Sequence, residues 1–439
     1  MFLFVTPSFD EFNFFDEVCK RANLKEFAIL STDQRCKGRN HLLYIDLNCS
    51  EYKKRLEVST DFLIDDFLDY YGMSASEVID VDRILKNNNF AVLNPVYVIC
   101  YILSSISDYI QSNDVRVIYT GCGPELVRLV SYYLAHKYSL KIYMHAYYGK
   151  RNRVVYFRDP VSYYLNKVDK NDDFDIQDFE KLEPEYLNKP WHEDIKAYFQ
   201  KLNNFNFSSF NRISNVVEAF CERRTRNVRY KRLLKNGVYI GIDDISKIKN
   251  RKILIPLHLF DDFVLTVLNR KFLNQIKVLK ELSNSLYNSG ITLIVKEHPA
   301  DISGYNDCIY QELIMSGNLY FCDPYLDSTS VLNECDVLAT FCSTYAIEAM
   351  YNQKPVILMG KSFYKQFEFC YELECVADII NLMGEIDSFS YDEKLKNFHY
   401  AIKELDSNSF LAPLPYLDDS KSAIPMYADI IKYISSHER

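Results

Sequence analysis

Three short segments hold the residue types that bind anions and move protons. The first is Leu293–Pro299, LIVKEHP, where an apolar run ends in Lys296, Glu297 and His298 and Pro299 stops it. Such a run reads as a buried strand. Ligands of open α/β sheets collect at the carboxyl ends of the strands, so His298 stands where a ligand would be. A phosphate there would favour the imidazolium and a charge-assisted hydrogen bond. The plainer reading is a histidine capping a turn. The second segment is Leu338–Met350, LATFCSTYAIEAM. A strand runs to Thr340, and Ser343 suits the N-cap of the helix that follows. The free N–H groups and dipole of that helix start would hold an anion, with Thr344 beside them. Glu348 lies one turn beyond Thr344 on an otherwise apolar helix. Ribose hydroxyls would give that carboxylate a partner; otherwise it is a surface residue of a capped helix. The third segment is Ile255–Asp262, IPLHLFDD, in which His258 and two aspartates leave another strand. A helix-capping Asp pair is the alternative there.

Other features carry weaker chemistry. Gly121-Cys122-Gly123-Pro124 begins like a nucleotide loop but lacks the third glycine of GxGxxG. Glu125 follows it, either as an acid–base group or as an acid favoured by a helix N-terminus. Asp80-Val81-Asp82 matches the DxD of metal-dependent transferases, but it follows a helical pattern and reads as coincidence. Tyr147–Arg158 brings Lys150, Arg151, Arg153 and Arg158 among aromatics, which suits an anionic acceptor sugar or a solvated hairpin. The run 222–235 holds seven basic residues against one acid. An anionic membrane surface or an acidic lipid-linked glycan would fit it; a solvated interdomain helix is the competing reading.

The elements that position these residues alternate. Strands are expected at Phe2–Val5, Glu26–Leu30, Leu42–Ile45, Val115–Tyr119 and Lys141–His145, with helices at Glu11–Arg21, 51–71, 96–112 and Glu125–His136. A second α/β series starts near Arg251, with strands at Ile253–Leu257, Ile291–Val295, Leu319–Phe321, Asp336–Ala339 and Pro355–Met359. Helices are expected there at 270–288 and Thr344–Tyr351, and a final one over 421–437. Strands separated by helices imply βαβ units and parallel sheets. At roughly 150 residues per domain, 439 residues make two or three domains. The reading is an α/β protein of two Rossmann-like halves: 1–245 with helical insertions, 250–420, and a last helix at 421–439 that crosses back.

Composition excludes several classes. With 48% apolar and 25% charged residues the chain is no disordered segment. A net charge of −9 argues against a nucleic-acid partner. Twelve cysteines form no CxxC pair, so no zinc ribbon or thioredoxin site is expected, and they read as buried thiols of a reducing compartment. No metal ligand set and no cofactor is expected. The start has no basic n-region, and the uncharged stretch Phe90–Ser107 is broken by Asn94, Pro95 and serines, which favours a buried helix over a membrane span. The expected location is cytoplasmic, with a peripheral place at the inner membrane face if 222–235 binds lipid.

The order PLHxxxD, KEHP, an S-T-x-x-x-E helix and KPVIxxGxxFY resembles the capsule polysaccharide biosynthesis glycosyltransferases, among them transferases that use CMP-activated 3-deoxy-manno-octulosonate (Kdo). The residues carrying it are His258 and Asp262; Lys296 to Pro299; Ser343, Thr344 and Glu348; and Lys354, Pro355, Gly360, Phe363 and Tyr364. The resemblance spans about 250–366. It implies a GT-B fold, with two Rossmann-like domains facing across a cleft, the first taking a glycan or glycolipid acceptor and the second a nucleotide-sugar. It implies that His258, Lys296, His298, Pro299, Ser343, Thr344 and Glu348 bind the donor, Glu348 at the ribose. GT-B chemistry of this kind usually needs no metal. An inverting enzyme needs a base near the acceptor hydroxyl and a retaining one a carboxylate nucleophile; Glu125 is the first choice for that group and Asp262 the second. The donor is expected to be CMP-Kdo or a CMP-sialic-acid-like sugar, for capsule or lipopolysaccharide. A CDP-glycerol or UDP-sugar transferase, or a non-catalytic glycan-binding scaffold, are the alternatives.

Overall fold

The computed structural model describes residues 1–46, 61–82, 95–149, 153–159, 164–165, 225–260, 262–298, 301–388, 391–412 and 420–437. Contacts divide the chain into two units. One comprises Met1–Ile176, Thr266–Leu268 and Ile402–Arg439; the other comprises Gln177–Leu265 and Asn269–Ala401.

Apolar strands buried on both faces build the first unit. With strands numbered along the chain, β1 (Phe2–Val5), β2 (Phe27–Ser31), β3 (Leu42–Tyr44), β4 (Val117–Gly121) and β5 (Lys141–Ala146) are parallel. β6 (Arg153–Asp159) runs antiparallel to β5, and β7 (Tyr164–Leu165) and β15 (Phe410–Leu411) run antiparallel to β6. The order is β15–β6–β5–β4–β1–β2–β3, with β7 also on β6. Helix Phe9–Ala22 starts where Ser8 Oγ accepts from the Glu11 N–H, and ends at Asn23, whose φ of 54° is left-handed. The last helix, Ser420–His437, packs on it within this unit, with the Tyr427 ring edge-on to Phe14 at 5.3 Å. The uncharged stretch becomes helix Pro95–Ser112, which buries Val98, Ile99, Ile102, Leu103 and Ile106. Among the described residues no helix is long and apolar enough to cross a membrane.

The second unit holds an all-parallel sheet of β8 (Tyr239–Ile240), β9 (Arg251–Pro256), β10 (Ile291–Lys296), β11 (Leu319–Cys322), β12 (Val337–Thr340), β13 (Val356–Leu358) and β14 (Tyr371–Glu372). Its order is β14–β13–β12–β9–β10–β11–β8. The central strands are continuous apolar runs, as strands covered on both faces must be. Two Rossmann-like α/β units, the composition of a GT-B fold, are therefore present.

The boundaries differ from those expected at 245–250 and 420. β8 hydrogen-bonds to β11, so the second sheet already includes 239–240, and the residues from Ile402 onward pair and pack within the first unit. In the basic–aromatic segment 147–158, the apolar residues of β6 are core rather than solvated, and β6 pairs antiparallel with β5. Val154 to Phe157 are fully buried in β6, and Arg153 Nη1 donates to Ser409 Oγ at 2.9 Å. Lys150 and Arg151 lie outside the described residues, as do Arg223 and Arg224 of the basic run.

Candidate functional site

The second sheet brings the sequence motifs together through its strand order. β10, β9 and β12 are consecutive neighbours, and they end at Lys296, Pro256 and Thr340. The order reverses between β9 and β12, which is the switch point where ligands of such sheets bind. His258 follows one of these strands, Ser343 and Thr344 the other, and His298 the strand beside them.

His258 is held by its backbone. Its N–H donates to Gln275 Oε1 and its carbonyl accepts from Gln275 Nε2, both at 2.9 Å. Gln275 is buried at the first turn of helix Gln275–Ser285, which Asn274 caps. The ring places Nε2 at 3.7 Å from Cys342 Sγ and Nδ1 at 3.8 Å from Asp262 Oδ2. Asp262 Oδ1 also accepts from the Val264 N–H at 3.2 Å. His298 belongs to the same cluster: burial depresses its pKa to about 4, His258 and Lys296 push it the same way, and Asp262 opposes them. His298 is neutral at pH 7 in this state.

The other two members of the motif turn away from that cluster. Lys296 was expected at the donor, but its ammonium is buried and donates to the Pro324 carbonyl at 2.8 Å. Burial lowers its pKa. Glu297 enters the core, where the hydroxyls of Tyr239 and Tyr310 and the Ser303 N–H donate to its carboxylate. Burial outweighs these bonds and pushes it up to about 7. Pro299 lies outside the described residues.

At β12, Ser343 N–H donates to Thr340 Oγ1 at 3.0 Å, and Ser343 Oγ accepts from the Tyr345 N–H at 3.2 Å. The helix is Tyr345–Tyr351, with Thr344 rather than Ser343 at the capping position. Ser343 still serves the first turn, one residue further out. Glu348 is buried rather than at the surface, and its Oε1 accepts from Thr329 Oγ1 at 2.7 Å. The partner expected from a ribose is thus supplied in part by the fold.

The first unit has its own arrangement at its switch point, between β4 and β1. Arg128, buried in helix Leu126–Lys137, donates from Nη1 to Glu125 Oε2 at 2.8 Å and from Nη2 to Glu11 Oε2 at 2.6 Å. A Cβ at Gly123 would stand 2.2 Å from Glu125 Oε2 and 2.4 Å from Arg128 Nη1, so a side chain there would have to displace this ion pair. Glu125 is therefore one arm of an ion-pair triad, and Glu11, whose pKa burial raises, is the other. Sequence reasoning missed Glu11 and Arg128 because 117 residues separate them. Asp82, set aside as half of a chance DxD, caps the same helix: its Oδ2 accepts from the Leu126 N–H at 2.7 Å.

In the basic run, helix 225–235 directs its arginines at the loop after β10. Arg226 pairs with Asp301 at 2.7 Å, Arg232 pairs with Asp307 at 2.6 Å, and Arg229 donates to the Ser303 and Tyr305 carbonyls. Three of its charges are thus engaged within the second unit. Among the described residues no group of three or more His, Cys, Asp or Glu side chains is arranged to hold a metal ion.

Comparison with known proteins follows this geometry. Residues 161–374 match the family described as capsule polysaccharide biosynthesis protein. No curated protein matches the chain in sequence. Among solved structures, the β-Kdo 2,7-transferase KpsC of Thermosulfurimonas dismutans is similar at 11% identity and a TM-score of 0.40, over 98% of this chain and 99% of that one. UDP-GlcNAc 2-epimerase from Neisseria meningitidis, bound to UDP-GlcNAc, is similar at 12% identity and a TM-score of 0.32, over 99% of each chain. The motifs His258 to Asp262, Lys296 to His298 and Ser343 to Glu348 all fall inside the matched residues. Over residues 161–374 the chain is similar to the capsule polysaccharide biosynthesis family.

Proposed function

We propose that this protein is a glycosyltransferase of bacterial surface-polysaccharide assembly that takes its sugar from a nucleotide donor bound by the second unit. One observation carries the reading: His258, His298 and the Ser343–Thr344 turn leave three adjacent strands at one sheet edge, around the switch point, within the family-matched residues. In this reading the Ser343–Thr344 turn and the two histidines bind the donor phosphate. An anion would draw His298 toward its charged form, which burial otherwise opposes. The departing phosphate keeps the electrons of the broken sugar–oxygen bond, and the acceptor oxygen supplies those of the new bond. The acceptor's proton passes to a carboxylate, Glu125 or Asp262. Asp262 is the better placed beside the donor histidines; Glu125 is already paired with Arg128.

The donor we favour is CMP-Kdo or a related CMP-activated acidic sugar, transferred to a glycan or glycolipid. A thermal-shift series with CMP, CDP, UDP and GDP, with and without magnesium, tests this. A ligand at about 100 times its Kd adds roughly 2.7 kcal/mol of stability. A shift with CMP alone, independent of magnesium and lost in His298→Ala, supports the reading. A shift with CDP or UDP instead moves the donor to glycerol or a UDP-sugar. No shift with any nucleotide refutes a preformed nucleotide site.

A further inference from the structure

The residues assigned to the donor leave its negative charge without a settled counter-ion. The Lys296 ammonium donates its hydrogen bond to the Pro324 carbonyl, inside the core. Burial disfavours the charge of His298, so with no anion bound it is not a standing cation. His258 faces the Asp262 carboxylate, which offsets any charge the ring carries. A departing phosphate needs a cation aimed at it.

Lys361 stands at the same sheet edge, at an unspecified position of the KPVIxxGxxFY stretch, right after Gly360. It follows β13, the neighbour of β12, with Thr340 level with Leu358. Its side chain is exposed while its backbone is fixed. The buried Asn269 carboxamide holds both sides of it: the Lys361 N–H donates to Asn269 Oδ1 at 2.6 Å, and Asn269 Nδ2 donates to the Lys361 carbonyl at 2.9 Å. Gly360 lets this loop press on the β12 turn. A Cβ there would lie 2.5 Å from Asn269 Oδ1 and 2.6 Å from the Phe341 carbonyl. Beyond Lys361, the buried Tyr364 donates its hydroxyl to the Ser343 carbonyl at 3.0 Å. The loop is thus bonded to the turn that would hold the phosphate, and it presents a lysine on a rigid backbone.

We propose that Lys361 is the cation that binds the phosphate of the donor nucleotide and steadies it as it leaves. This rests on the reading of the second unit as a nucleotide-sugar site. An ammonium on a flexible stem suits a phosphate whose charge grows during transfer, since it can follow the oxygens as they move.

Titration calorimetry on the full chain tests the assignment, with CMP, CDP and UDP as nucleotides and cytidine and uridine as the matching phosphate-free probes. Lys361→Gln should weaken the bound nucleotide roughly 10-fold, the loss of one charge-assisted hydrogen bond. Nucleoside binding should not change, Lys361→Arg should keep most of the affinity, and the salt dependence of nucleotide binding should fall in Lys361→Gln. Lys365→Gln, which removes an exposed pair to Glu372, is the control for a general change of surface charge. Unchanged nucleotide affinity in Lys361→Gln overturns the proposal while leaving the donor site standing. Equal loss of nucleotide and nucleoside also overturns it, because the lysine would then act on the pocket as a whole. If the wild-type chain binds no nucleotide, the donor-site reading fails and this inference with it.

Discussion

Glu297 makes stability depend on pH in a direction opposite to most carboxylates. The group is 2% exposed and accepts from two tyrosine hydroxyls and one backbone N–H. Burial still dominates, and raises its pKa from 4.5 to about 7. A raised folded-state value means that the native state binds the proton more tightly than the unfolded chain. Stability from this group is therefore fully present below pH 4.5 and is lost as the pH rises through 7. A shift of about 2.5 units, at 1.36 kcal/mol per unit, amounts to about 3 kcal/mol across that window. Glu297→Gln keeps the shape and stays neutral, so it should remove this slope. Histidines in the same molecule titrate the other way: His298 and His145 are held near 4 and near 3, mainly by burial, and destabilise as the pH falls below 6.5. The informative quantity is thus the difference between wild type and variant. Urea unfolding followed by circular dichroism at pH 5, 6, 7 and 8 measures it. The variant should gain on the wild type by about 2.5 kcal/mol between pH 5 and 8, most of the full difference. Parallel pH profiles for the two proteins would refute the reasoning, because they would mean that Glu297 is ionised throughout and that the phenol bonds outweigh its desolvation.

Two further outcomes test the first unit. Arg128→Met leaves Glu11 and Glu125 facing each other without their shared cation. It should cost about 2–4 kcal/mol in urea unfolding, toward the lower end because both carboxylates reach solvent, and a loss under about 1 kcal/mol would remove the triad from the account. Asp82→Ala should cost about 1 kcal/mol through the lost cap on the Leu126 N–H, while Asp80→Ala should stay within about 0.5 kcal/mol of wild type. Magnesium-dependent activity lost in both variants alike would instead restore the DxD motif as a metal site.

Local pattern made most elements legible. The expected strands at Phe2–Val5, Lys141–His145 and Ile291–Val295 reappear within a residue, because apolar runs between polar turns leave few alternatives. What stayed hidden needed partners far along the chain. Tyr239–Ile240 is only two residues long and becomes a strand by pairing with β11, some 80 residues away. Arg153–Asp159 has only four apolar residues, hemmed in by charges at both ends, yet it is fixed as a core strand by β5 on one side and Phe410–Leu411 on the other.

The candidate site divides along the same line. His258, His298 and Ser343 could be placed from the sequence because each follows an apolar strand, and a residue just past a strand end is placed by the strand itself. Which strands are neighbours is not written locally: β9, β10 and β12 are separated by helices, and their adjacency comes from the sheet order. The direction of a side chain after a strand was equally hidden. Lys296, Glu297 and His298 are consecutive, yet one reaches a loop carbonyl, one enters the core and one joins His258 and Asp262. Alternation along an extended chain sends Glu297 to the face opposite Lys296 and His298, and Lys296 parts from His298 through its long stem, which reaches the Pro324 carbonyl. A motif of consecutive polar residues at a strand end can therefore give its ligand only some of its members. The rest are bound by the fold, and their loss should appear in stability before it appears in binding.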